Sequence, residues 1–78
     1  MKVMAETGLK AIRESIGLSQ EGVAHRTKGL SSRTVRNAES GQRVTFDTAI
    51  QILNAINSAL AEAGEPAVTL ADLKLTLS

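Results

Sequence analysis

The sequence predicts an all-α fold, a compact five-helix domain, on three observations. Apolar residues recur at three- and four-residue spacing in successive segments. A Ser or Thr stands ahead of the second, third and fourth segments, and a glycine follows each of the first four. No long run alternating apolar with polar residues occurs before residue 68. A chain of 78 residues makes one domain.

The elements follow in order. Leu9, Ile12 and Ile16 give a first helix of about 5–16, stopped at Gly17. Ser19 is placed as the N-cap of a second, about 20–27, with Val23 and Ala24 inward and Gly29 breaking it. Ser31 is the next cap, opening a third helix of about 32–40 that ends on Gly41. Thr45 caps a longer fourth helix, about 46–63, with Phe46, Ile50, Leu53, Ile56/Asn57 and Leu60 as its core stripe. Gly64-Glu65-Pro66 ends that helix. Thr69 and Asp72 have capping-box spacing, whereas Leu73 to Leu77 alternates with period two. The expectation is a helical turn at about 70–74 followed by an extended end.

Composition removes several functional classes. The chain has no Cys and a single His, His25, which argues against a disulfide scaffold, a structural zinc site and an iron–sulfur cluster. No metal and no cofactor are expected. No apolar run approaches the length of a membrane span, and Met1 to Glu6 lacks a secretory apolar core, so a cytoplasmic location is expected.

The net charge of +1 hides an uneven distribution. Residues 1–25 balance; 44–78 are acidic, with Lys74 against Asp47, Glu62, Glu65 and Asp72; 26–43 carry Arg26, Lys28, Arg33, Arg36 and Arg43 against Glu39 alone. That asymmetry suits a chain presenting one basic surface to a polyanion.

The third helix concentrates it. Val35 and Ala38 are its apolar positions, so the opposite side carries Ser32, Arg33, Arg36, Asn37 and Ser40. Solvated helix faces commonly mix Glu with Lys one turn apart; this face has no acid. Arg can grip guanine O6 and N7 together, Asn can do the same for adenine N6 and N7, and Ser serves either. Two short helices joined by a glycine-containing turn, at about 20–40, make a helix-turn-helix.

Gly17-Leu18-Ser19-Gln20-Glu21, Val23-Ala24, Leu30-Ser31-Ser32-Arg33-Thr34-Val35 and Ala38-Glu39-Ser40-Gly41 together resemble the phage-repressor-like helix-turn-helix family of lambda repressor, Cro and Xre. The resemblance runs through the Phe46–Leu60 helix and the Val68–Leu73 segment, about residues 9–73. It implies that Ser32, Arg33 and Asn37 contact bases with Arg36 beside them, that Gln20 holds a phosphate, and that Gln42 and Arg43 touch the DNA backbone. Lys28 and Ser31 are expected on phosphates as well. Arg13 and Glu39 match a family pair bridging the first and third helices. Two departures stand out. One extra residue lies between Ala24 and Ser31, lengthening the turn, and Gly22 stands where the family carries a good helix former.

Other constellations carry less. His25 on a short helix, without a cleft, does not make a catalytic centre. Gly8 and Gly17 belong to no phosphate-binding loop motif. Phe46 is expected in the core and offers no stacking platform. The fourth helix bears a second apolar strip, Ile52, Ala55/Ile56, Ala59 and Ala63. With Leu70, Leu73, Leu75 and Leu77 of the 65–78 tail, Ile52 and Ile56 are expected to form a dimer interface. These features lead to the expectation of a homodimeric, sequence-specific repressor on a palindromic duplex operator, and not an enzyme. The alternatives are an antitoxin whose tail binds a toxin, or a protein-interaction module without DNA binding.

Overall fold

The computed structural model describes residues 8–78. Five helices follow in sequence: α1 Leu9–Ser15, α2 Gln20–His25, α3 Ser32–Glu39, α4 Phe46–Glu62 and α5 Leu70–Leu73. Two short strands join them, β1 Arg43–Val44 after α3 and β2 Thr76–Leu77 after α5.

Local chemistry sets most boundaries. Ser19, Ser31 and Thr45 each sit in extended backbone and accept from the N–H three residues on, those of Gly22, Thr34 and Thr48. Gly41, with φ 97°, takes the left-handed conformation past the end of α3 that a side chain would strain. Gly8, at φ 111°, is not helical, so α1 starts at Leu9; the part of the expected first helix at 5–7 lies outside the described residues. The Gly8 N–H donates to Asp72 O at 3.0 Å, tying the start of α1 to α5. The Thr69 N–H donates to Asp72 Oδ2 at 2.9 Å, the interaction that the Thr69–Asp72 spacing predicts.

The longer α2–α3 turn is anchored rather than loose. Thr27 Oγ1 donates to Ala24 O and accepts from the Leu30 N–H. The Lys28 N–H reaches Gln51 Oε1 on α4, and Arg26 bonds Ser58 Oγ and both carboxylate oxygens of Glu62 at 2.9–3.1 Å. Thus α4 holds the turn at two points.

The core gathers Leu9, Val23, Ala24, Val35, Ala38, Val44, Ala49, Ile52, Ala55, Ile56, Leu60 and Leu73, with Ile12, Ile16, Leu18 and Leu30 packed against it. Here two expectations are corrected. The strip of α4 expected to face a second copy is the core face: Ile52 and Ile56 are 0% exposed, Ala55 and Ala59 are buried beside them, and Leu73 of the tail is 1% exposed. Ile52, Ile56 and Leu73 are therefore closed to a partner. Alanines at 49, 55 and 59 let α4 approach its neighbours closely, and the face they share with Ile52 and Ile56 turns inward. Phe46, expected in the core, is instead 61% exposed. It is the first residue of α4, and helical side chains lean toward the N-terminus, carrying this ring past the end of the core.

The tail forms a turn and then a strand. Lys74 adopts φ 53° after α5, and β2 pairs parallel with β1 in the register Arg43 to Thr76 and Val44 to Leu77. The Ser78 N–H extends the ladder to Val44 O at 2.9 Å. Asn57 of α4 holds the connection by donating to Val68 O and accepting from its N–H. The β1 half of this small sheet had no signal in the sequence, because two residues are too few to show alternation.

Candidate nucleic-acid interface

Helix α3 presents its two sides as its apolar spacing requires. Val35 and Ala38 are buried; Ser32, Arg33, Arg36 and Ser40 are exposed, and Asn37 is half-buried on the same side. Among the described residues no carboxylate pairs with Arg33 or Arg36, so both guanidinium groups remain open to a ligand. Ser31 is exposed but its hydroxyl is committed to capping, accepting from the Thr34 N–H at 3.2 Å. The Gln42 N–H donates to Asn37 O at 3.1 Å, which turns the chain directly from the helix into β1. Gln42 and Arg43 are both exposed there, the latter paired through its backbone with β2.

Beneath this face lies one ion pair. Arg13 Nε donates to Glu39 Oε2 at 2.6 Å and Nη2 to Oε1 at 3.1 Å, with side-chain exposures of 10% and 5%. Arg13 Nη1 also donates to Leu18 O at 2.9 Å. The hydrogen bond to Glu39 holds the Arg13 guanidinium above its ordinary pKa, against the opposing effect of burial. Such a bidentate pair has both charge and geometry in its favour. It joins α1 to the C-terminal end of α3, so the single acid of the basic segment is turned away from the exposed face that carries Arg33 and Arg36.

Gln20 is half-buried at the start of α2, and its Nε2 donates to Glu39 Oε1 at 2.9 Å. This bond joins residues 19 positions apart on different helices, and no local pattern in the sequence signals it. Lys28 is exposed in the α2–α3 turn, where its backbone is bound to α4; among the described residues no hydrogen bond or ion pair links it to α3.

The basic segment is therefore partly neutralised by residues outside it. Arg26 is bound to Glu62, and Glu39 to Arg13. The bond from Arg26 lowers the Glu62 carboxyl below its ordinary range and raises the Arg26 guanidinium. Lys28, Arg33, Arg36 and Arg43 keep their charge exposed. The chemistry they offer, with Ser32 and Asn37, is hydrogen-bond donation to guanine, adenine and phosphate oxygens. Among the described residues no group of His, Asp and Glu is arranged to hold a metal ion, and no helix is long and apolar enough to cross a membrane.

Comparison with known proteins agrees with this geometry. The family profile described as helix-turn-helix matches residues 9–63, covering α1 to the end of α4. No curated protein and no solved structure matches the chain. With most of its length matched and a capped α3, its exposed face free of acids, set against α2, the chain belongs to the lambda-repressor-like helix-turn-helix family of DNA-binding transcription regulators.

Proposed function

We propose that this protein is a homodimeric repressor that reads a palindromic duplex operator through α3. The observation that carries the reading is the acid-free face of α3, with Arg33 and Arg36 unpaired among the described residues. In this reading Ser32, Arg33, Arg36 and Asn37 meet base edges in the major groove. Gln20, Lys28, Ser31, Gln42 and Arg43 meet phosphates and set the register.

The dimer surface is narrower than the sequence suggests. With Ile52, Ile56 and Leu73 buried and Leu70 and Leu75 partly buried against the core, the large apolar residues exposed to a second copy among the described residues are Phe46 and Leu77. Leu70, Leu75 and Leu77, with Ala71 and Lys74, line a shallow groove of about 300 Å³, and Leu77 is 43% exposed. A second copy supports repression because one recognition helix reads few base pairs. Two half-sites roughly double the base-reading free energy and bring affinities of about 10⁻⁸–10⁻¹¹ M within reach.

Selection from random duplexes tests the function. The expected result is an enriched sequence with dyad symmetry and half-sites about one helical turn apart, bound with a steep inverse dependence on salt. Binding without enrichment, or enrichment of a single half-site, would contradict the proposal.

A further inference from the structure

The Glu39 carboxylate does more than lock α1 to α3. Its Oε1 accepts from Arg13 Nη2 and also from Gln20 Nε2, at 3.1 and 2.9 Å, so one carboxylate gathers α1, α2 and α3. A primary amide has two N–H donors on one nitrogen, and a carboxylate offers only acceptors. Glu39 therefore selects which end of the Gln20 amide turns inward: the nitrogen. No buried side-chain nitrogen or oxygen lacks a hydrogen-bond partner among the described residues. The Gln20 amide oxygen, which has no hydrogen-bond partner among the described residues, is therefore open to solvent, and the half-buried amide lies at the surface with its nitrogen on Glu39.

We propose that Glu39 is the positioning residue for backbone-phosphate recognition. It holds Gln20 Nε2 so that one N–H stays on the carboxylate and the other is offered to a phosphate oxygen of duplex DNA. This rests on the DNA-binding reading above and adds to it a link between groove and backbone. The carboxylate that closes α3 also sets the amide gripping the strand, which fixes the recognition helix relative to the phosphates. Unanchored, the amide would rotate freely and turn its oxygen toward the phosphate as readily as its nitrogen. A hydrogen bond to a charged acceptor also polarises the amide, which strengthens donation from its second N–H.

The test uses the full chain and a cycle of variants. Gln20→Met removes the donor at similar side-chain length. Arg13→Met together with Glu39→Met replaces the whole pair by apolar side chains, an exchange that buried pairs often tolerate. Affinity for a random-sequence duplex is read by fluorescence anisotropy across a salt series, and melting temperature is recorded in parallel. Gln20→Met should weaken binding roughly three- to tenfold, the loss of about one hydrogen bond to DNA, while the folded chain loses a little melting temperature with its bond to Glu39. Its salt slope should stay unchanged, because a neutral amide displaces no counterion. The pair replacement should weaken binding by the same factor, and by nothing further in the Gln20→Met background.

An equal loss from the pair replacement in both backgrounds would overturn the proposal, since Glu39 would then act through the fold alone. So would duplex binding by Gln20→Met equal to that of the parent chain. If the pair-replaced chain does not fold, the Gln20 side-chain amide in nitrogen-15 spectra of the parent chain decides. A Gln20 side-chain amide proton that shifts when duplex is added supports the proposal; two amide protons unmoved by saturating duplex overturn it. A parent chain that binds no duplex would instead overturn the DNA-binding reading, and this one with it.

Discussion

Arg33 and Arg43 are exposed and Asn37 is half-buried, and their loss should have different signatures. Arg33→Ala or Asn37→Ala should each cost about 1–3 kcal/mol on the selected operator and relax the choice at one base pair. Arg43→Ala should weaken selected and random duplexes alike and flatten the salt slope by about one unit. An anisotropy titration of both duplexes at several salt concentrations separates the two. Glu39→Gln is a stability change before it is a binding change. With side chains only 10% and 5% exposed, breaking the pair should cost about 3 kcal/mol, the lower end for a buried ion pair because this one lies near the edge of a small domain. Thermal denaturation reads it. The Arg26–Glu62 pair is exposed and its signature is pH. Because Arg26 lowers the Glu62 carboxyl in the folded state, the unfolded state binds its proton first. The contribution is thus present above the ordinary carboxylate range and is lost as pH falls through the folded value. A Glu62→Gln chain should lose less melting temperature than the parent between neutral pH and about pH 3.

Individual elements respond to changes that their sequence signals foresee only in part. The caps at Ser19, Ser31 and Thr45 and the stop at Gly41 were legible because each is a local rule, satisfied within four residues. The facing of α4 was not. Its apolar residues cover two adjoining strips, and weighting them by size favoured Phe46, Ile50 and Leu53, whereas close packing selected the alanine-bearing side. The face of α3 was legible because Val35 and Ala38 leave one inward side, but the Gln20–Glu39 bond and β1 depend on distant partners. Gly22 in α2 has a reason that only the structure supplies: a Cβ there would lie 2.8 Å from Leu18 Cδ1. Gly22→Ala should therefore return less than the helix preference of about 1 kcal/mol, since the half-buried Leu18 side chain must move. A melting temperature raised by the full amount would show that Leu18 gives way freely. The tail is part of the fold rather than an appendage. Leu73→Ala should cost about 2–5 kcal/mol, as for other buried leucines, and removal of residues 69–78 should unfold the domain rather than merely separate a dimer. Circular dichroism of the truncated chain checks this.

For the whole molecule, Arg33 and Arg36 share the exposed side of α3, and the large apolar side chains left open among the described residues are Phe46 and Leu77. If the groove at Leu77 joins two copies, Leu77→Lys should shift sedimentation equilibrium at micromolar concentration from dimer to monomer and lower operator affinity by at least tenfold, with the melting temperature of the isolated domain nearly unchanged. A parent chain that stays monomeric while binding a half-site tightly would contradict the dimer. The pairing of β1 with β2 carries a consequence for the order in which the molecule is completed during synthesis. Arg43 pairs with Thr76, so β1 leaves the ribosome with its partner still unmade, and at roughly 5–20 residues per second the gap lasts on the order of seconds. The caps and buried face of α3 draw mainly on residues made before α4 ends, and Leu73 closes the core soon afterwards. The nascent chain therefore acquires α3 first and the fixed path of Gln42 and Arg43 only after β2 is made.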